Sequence, residues 1–445
     1  MNLPRTQRLL AAPILPTLAR LAAPGMALVA FQTAVSIADM HFVGRLGTVP
    51  LAGIALVFPL VMLLQMLSAG AMGGGVSSAV ARALGAGDER AARALVAHAT
   101  VIALVMVFGF TLLALLLGAP IYRLLGGEGE ALRQALAYSN LLFAGSVLVW
   151  LANTFASVLR GSGNTLVPAL ALGASALVHI PLSGSLVLGA GPLPALGIAG
   201  AAVAYITAFG CATLAMAVYL WRSPLRPQPG ELRLQARQFG EILRVGALSS
   251  LSALQTVLTA VVLTGMVGAY GTAALAGYGV GVRLELLQIP LVFAIGQALV
   301  PLVGTAIGAG SPARAKKIAW TGAAIAGLIG VCIGFTVAVF PAPWVRLFSD
   351  DPAVLAASSQ YLRIVGPCYP FLAVGVALYF ASQGARSVLW PMLATTVRLA
   401  LVLVLGLAAV RSGASLAGVF AVIAVAMAAY GLLTGWAVWK ADWAR

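Results

Sequence analysis

Acid is scarce in this chain. Of 445 residues only 11 are Asp or Glu, against 26 Lys or Arg, and charged residues of both signs make up 8%. Soluble domains carry roughly 25% charged residues, so an ordinary soluble protein is excluded. Cys211, Cys332 and Cys368 stand alone within apolar segments without CxxC spacing, which argues against a disulfide framework or metal site; they read as small core residues. No GxxxxGK followed by Ser or Thr occurs, so the chain has no P-loop of its own to hydrolyse a nucleotide. HExxH and spaced His/Cys clusters are also missing, as is any Asp-rich pair of the kind a membrane prenyl-transfer enzyme uses to bind Mg²⁺ and diphosphate. Alternating ten-residue amphipathic segments are absent, against an outer-membrane barrel.

What the chain has in quantity is apolar sequence, 61% of it hydrophobic. Division at loop signals predicts an all-α polytopic membrane protein of about twelve transmembrane helices. The expected spans are 16–44, 49–83, 89–118, 129–158, 164–189 and 195–221, then 240–268, 272–308, 312–341, 352–383, 388–411 and 415–440. The net charge of +15 lies mostly in short inter-helix loops, where it reports membrane orientation rather than nucleic-acid binding. Arg90, Arg93, Arg160, Arg222, Arg226, Arg314, Lys316, Lys317 and Lys440 fall on one side. Arg45, Arg123, Arg346 and Arg411 are nearly all that the other side carries. Both termini are therefore expected on the cytoplasmic side of a bacterial inner membrane, with the segment before the first helix retained and interfacial rather than a cleaved signal.

The polar stretch Arg222–Glu241 divides the chain, and the same text recurs on either side of it. GTVPLAGIAL at Gly47 answers GTAALAGYGV at Gly271, and ALGAG at Ala83 answers AIGAG at Ala306. RLLGGEGEAL at Arg123 matches RLFSDDPAVL at Arg346, and GSGNTLVPAL at Gly161 matches GARSVLWPML at Gly384. The offsets between starting positions are 224, 223, 223 and 223 residues. One constant register signals an internal duplication. It predicts an N-lobe over 1–221, a cytoplasmic linker over 222–239 and a C-lobe over 240–445, related by pseudo-two-fold symmetry about a central cavity. That is a transporter architecture.

Nine of the acids lie in or beside loops; only Asp39 and Glu285 fall well inside a span. Gln32, Ser36 and Asp39 share one helical stripe, and a carboxylate at membrane depth costs on the order of 2.5–3.5 kcal/mol on insertion scales. An ion-driven carrier needs such a group, because burial disfavours the charged carboxyl and brings protonation within reach. The competing reading is a structural ion pair with Arg45. Pro24 offers the first helix a bending point. Glu285 is either half of an ion pair with Arg363 or Arg398, or part of the transport cycle. His179 and Ser183 are i and i+4 on the fifth helix, and His179 is a candidate titratable partner of Asp39. His41 and His98 read as packing residues, and the Gly73–Gly75 run as close helix packing or a bend. Tyr138, Asn153 and Tyr205 could supply hydrogen bonds to a cavity.

The chain resembles the multidrug and toxic compound extrusion (MATE) family, its DinF-like branch in particular. The residues that carry this are SIADMHFVGRLG with Asp39, Gln32 and Pro24 upstream of it, the paired LAG and GAG motifs, LRGSGNTLVP, and GYGVGVRLELLQIP through GTAIGAG. The resemblance implies two six-helix lobes and efflux of organic, cationic or amphipathic compounds in exchange for H⁺ or Na⁺. It matches Asp39 to the family's first-helix coupling acid, Gln32 to its polar position and Pro24 to its kink. Many members carry an Asn and an Asp four apart on the fifth helix, where this chain has His179 and Ser183. The C-lobe acids of the NorM-like branch are missing, with Gln255 or Thr256 near the seventh-helix position. The expected coupling-ion residues are thus Asp39, Gln32, His179 and Ser183, and the expected cavity residues Tyr138, Asn153, Tyr205, Gln255 and Glu285. H⁺ is favoured over Na⁺, because a hard cation prefers several oxygen ligands and one is lost. No cofactor or enzymatic activity is expected. The partners are small organic substrates and the lipid bilayer, and the chain is expected to act as a monomer. The alternatives are a lipid-linked saccharide flippase of the same superfamily and, from another class, a membrane-embedded enzyme.

Overall fold

The computed structural model describes residues 5–189, 194–231 and 233–444, and every regular element among them is helical. Eleven of those helices are long and apolar enough to cross a membrane. A twelfth span is the pair Gly129–Ala144 and Ser146–Gly161, bent by 49° at Gly145. We number the spans α1 (Ile14–Gly44), α2 (Thr48–Gly85), α3 (Glu89–Leu124), α4 (the bent pair), α5 (Leu166–Leu188) and α6 (Ile198–Trp221). The second set is α7 (Ala236–Gly268), α8 (Thr272–Gly308), α9 (Pro312–Val339), α10 (Pro352–Gly384), α11 (Leu389–Arg411) and α12 (Leu416–Lys440). The expected spans correspond to these one for one. Their lipid-facing sides carry exposed Leu, Val and Phe, such as Val105, Phe108 and Leu116 on α3, as helices solvated by hydrocarbon require.

The loop acids have local work. Asp88 caps α3 by accepting from the Ala91 N–H at 2.8 Å, and Asp351 caps α10 from the Ala353 N–H at 2.7 Å with Pro352 at the first helical position. The paired GAG motifs have a common cause too. Gly87 and Gly310 take φ of 75° and 69°, and the following N–H groups reach back to the carbonyls of Ala83 and Ala306. Each closes its helix with the left-handed turn that glycine adopts at least cost.

The chain forms two compact units. Among the described residues, one holds 5–6 and 23–247; the other holds Gln7–Ala22 and 248–444. The first has a core around Trp150, Phe143 and Tyr122, the second around Tyr361, Tyr369 and Phe420. The polar stretch and the opening turns of α7 pack with the first unit. Glu231 takes the Nε and Nη2 donors of Arg93 at 3.0 and 2.8 Å and the Gln228 N–H at 3.0 Å. The Arg93 guanidinium holds its carboxyl below the usual carboxylate range, against the opposing effect of burial. His98 is fully buried and uses both ring nitrogens: Nδ1–H donates to the Ala94 carbonyl at 2.8 Å, and Nε2 accepts from the Gln235 N–H at 2.9 Å. Close packing is the role of the Gly73–Gly75 run, since a Cβ on Gly75 would stand 2.7 Å from the Ile242 carbonyl oxygen.

One expectation fails. Cys211 and Cys332 lie exposed on helix surfaces and Cys368 is half-buried, so they are not core residues. In a membrane span the outer surface is apolar as well, and a small sulfur side chain sits there at little cost.

Candidate functional site

In the first unit α1 and α5 bring three of the expected residues together. Asp39 lies five residues before the end of α1, and its carboxylate is 18% exposed while His179 is 2% exposed. His179 Nε2 lies 2.9 Å from both Asp39 oxygens, and the Ser183 hydroxyl donates to Oδ1 at 2.5 Å. The i, i+4 spacing puts both α5 side chains on the same face. The carboxylate thus accepts from an N–H and an O–H.

The polar contacts continue inward. Tyr205 on α6 sets its ring edge-on to His179, with centroids 6.1 Å apart at 90°. Its hydroxyl accepts from Gln65 Nε2 at 2.6 Å, and Gln65 Oε1 accepts from Asn153 Nδ2 at 3.0 Å. Asn153 also donates to the Ser68 hydroxyl at 2.8 Å. Gln65 and Ser68 were not among the expected residues. Both sit in an apolar stretch of α2, and a lone Gln in such a span was the available signal.

The other expected residues sit apart from this cluster. Gln32, two turns before Asp39, is exposed, and among the described residues no hydrogen bond joins it to the carboxylate. Tyr138 is buried in the same unit, again without a hydrogen bond to the cluster among the described residues. Pro24 lies inside α1, fifteen residues before Asp39.

In the second unit Gln255 donates to the Thr396 hydroxyl at 2.8 Å, and Glu285 accepts from the Tyr361 hydroxyl at 3.3 Å. The ion pair anticipated for Glu285 does not form among the described residues: Arg363 is exposed, and Arg398 lies over the Tyr430 ring at 5.8 Å. A tyrosine hydroxyl and a tyrosine ring are the direct contacts of Glu285 and Arg398, and Arg398 still acts on Glu285 electrostatically without touching it. Asp39 likewise pairs with His179, not with Arg45.

No group of three or more His, Cys, Asp or Glu residues that could hold a metal ion occurs among the described residues. The oxygen ligands offered by the pair to a hard cation are the Asp39 carboxylate and Ser183 Oγ, with an imidazole N–H already directed at the former.

Comparison with known proteins gives a consistent result. The MatE family model matches the chain twice, over residues 24–183 and 249–408, well over half of its length. The chain is 27% identical to an FAD transporter of Shewanella oneidensis over 84% of this chain and 82% of that protein. It is 28% identical to the probable multidrug resistance protein NorM of Thermotoga maritima over 85% of this chain and 82% of that one. Among solved structures, a MOP superfamily transporter from Pyrococcus furiosus superposes with a TM-score of 0.89 at 23% identity, covering 98% of both chains. A variant of the Vibrio cholerae MATE transporter VcmN gives a TM-score of 0.88 at 23% identity over 98% and 97%.

Proposed function

Since the chain belongs to the MatE family of membrane transporters, we propose that it is a secondary antiporter that exports organic compounds in exchange for protons taken up at Asp39 and His179. That it is a multi-pass transporter of small molecules, and not an enzyme, follows from the family and its relatives. The observation that carries the coupling proposal is the Asp39 carboxylate inside a spanning helix, held by the titratable His179 at 2.9 Å and by Ser183 at 2.5 Å. An acid at membrane depth of this kind serves a proton relay or an ion pathway more often than structure alone. The scarcity of oxygen ligands favours H⁺ over Na⁺. In this reading the protein is a monomer in the bacterial inner membrane with both termini in the cytoplasm, as the loop charges direct. Gln32 and Tyr138 then border the substrate path rather than the ion site.

The substrate has two readings. Organic cations fit the name of the multidrug relative. An anionic compound fits the name of the FAD transporter and a second observation: Arg160 is at least nine-tenths buried, donates to the Ser157 hydroxyl at 2.9 Å, and among the described residues has no carboxylate within ion-pair distance. Such an uncompensated cation is costly and favours an anionic ligand. Proteoliposomes loaded with either a lipophilic cation or FAD, and energised by a pH gradient, test both. Export of one class and not the other decides the substrate. An Asp39→Asn variant that still exports at the wild-type rate would sink the coupling role.

A further inference from the structure

We propose that Gln65 is a positioning residue for the Asp39–His179 pair, and that the π-helical turn it opens is the element that responds when that pair changes charge. The proposal rests on the coupling role of the pair. α2 is α-helical over Thr48–Gln65, π-helical over Met66–Met72 and α-helical again from Gly73. A π turn carries one residue too many for the α ladder. It is rare, concentrates at functional sites, and can be relieved by shifting register.

The contacts tie this turn to the pair. Both ends of the Gln65 amide are engaged: Nε2 with Tyr205 at 2.6 Å, and Oε1 with Asn153 at 3.0 Å. The amide cannot rotate without losing both bonds. Asn153 further holds Ser68, the third residue of the π turn, whose hydroxyl also donates to the Leu64 carbonyl at 2.7 Å. On its other side Tyr205 meets the His179 ring, and His179 meets Asp39. A swing of the imidazole on protonation therefore displaces Tyr205, then Gln65, and with it the start of the irregular turn. The titratable groups facing the pair are Tyr138 on α4 and Tyr205 on α6. His41, on α1 itself, points off the Asp39 face with its ring against Phe42.

The duplication supplies an independent argument. The start of α2 repeats in α8 at an offset of 224 and its end at 223, so the first half carries one extra residue there, as a π turn requires, where α8 has Pro290. Proline removes an N–H from the helix ladder. α8 nonetheless runs as one α-helix over Thr272–Gly308. The second half lacks the titratable pair, however. In the register of His179 and Ser183 stand Val402 and Gly406, which bound a second π turn. The response to pH should therefore belong to the first half alone.

Hydrogen exchange of the whole protein in lipid nanodiscs, at about pH 6 and about pH 8 to span the imidazole range, tests this. Protection is corrected for the intrinsic rate. Residues 66–72 are expected to change protection by roughly tenfold, the equivalent of one pKa unit of coupling, while residues 289–295 do not change. Gln65→Leu and the milder Tyr205→Phe are each expected to remove that response and to move the pH midpoint of export by about one unit, while Tm stays near the wild-type value. Unchanged protection of 66–72 in the wild type, or a wild-type pH profile in both variants, would overturn the proposal. If Asp39→Asn abolishes export while the two variants keep the wild-type profile, only this inference fails. If Asp39→Asn exports normally, the coupling reading fails first.

Discussion

At the scale of single residues, the account turns on how a carboxylate is held. Asp39 accepts from His179 and Ser183 at once, and hydrogen bonds to charged groups contribute about 1.5–3 kcal/mol each. Removing the Ser183 hydroxyl takes away a donor that favours the charged form, so protonation becomes easier. Ser183→Ala is therefore expected to raise the pH of half-maximal export by about one unit, measured in energised vesicles across a pH series. His179→Asn keeps an N–H donor but cannot titrate. Its expected effect is to flatten the limb of that profile near the ordinary imidazole range, about pH 6.5. Export that retains the wild-type limb would assign the proton to Asp39 alone. Asp39 was visible in the sequence because an acid in an apolar run has few bland explanations. His179 was visible only as a lone polar residue, and its hydrogen bond depends on the approach of α1 to α5 that no local pattern encodes. Gln65 went unseen for the same reason: its partners lie 88 and 140 positions away.

At the scale of elements, close approach and pinning decide the outcome. A Cβ on Gly75 would meet the Ile242 carbonyl oxygen at 2.7 Å, and that backbone atom cannot step aside. Gly75→Val is expected to cost about 1–3 kcal/mol as overpacking, read as a lower Tm in detergent than for Gly75→Ala. The Glu231–Arg93 contact gives a stability term with a defined pH sign. The carboxyl of Glu231 is held below its ordinary value in the folded protein, so its contribution is present above the unfolded pKa and is lost as pH falls through the folded one. Glu231→Gln should lower Tm at neutral pH and show less further loss on acidification below about pH 4.5 than the wild type does. Helix number and order were legible because apolar length is set by bilayer thickness. The bend at Gly145 and the π turn at Met66–Met72 were not legible, since neither leaves a mark in composition. The exposed cysteines misled because in a membrane protein apolar surroundings do not imply burial.

At the scale of the whole molecule, the duplication explains both what the halves share and where they part. They share the left-handed glycines at Gly87 and Gly310 and the matching of one family model to each half. They part in charge. The first unit carries the Asp39–His179 pair, whereas Glu285 in the second accepts from a tyrosine hydroxyl and has no titratable partner in direct contact among the described residues except tyrosine. Coupling should therefore be confined to the first half, and Glu285→Gln is expected to change substrate affinity more than the dependence of export on the pH gradient. The central claim is that substrate displaces a proton from Asp39 and His179. Its most direct test is proton release from purified protein in weakly buffered solution when a transported substrate is added, with and without Na⁺. The account predicts release of about one proton per protein, independent of Na⁺ and absent in Asp39→Asn; release that requires Na⁺, or none at all with bound substrate, would contradict it.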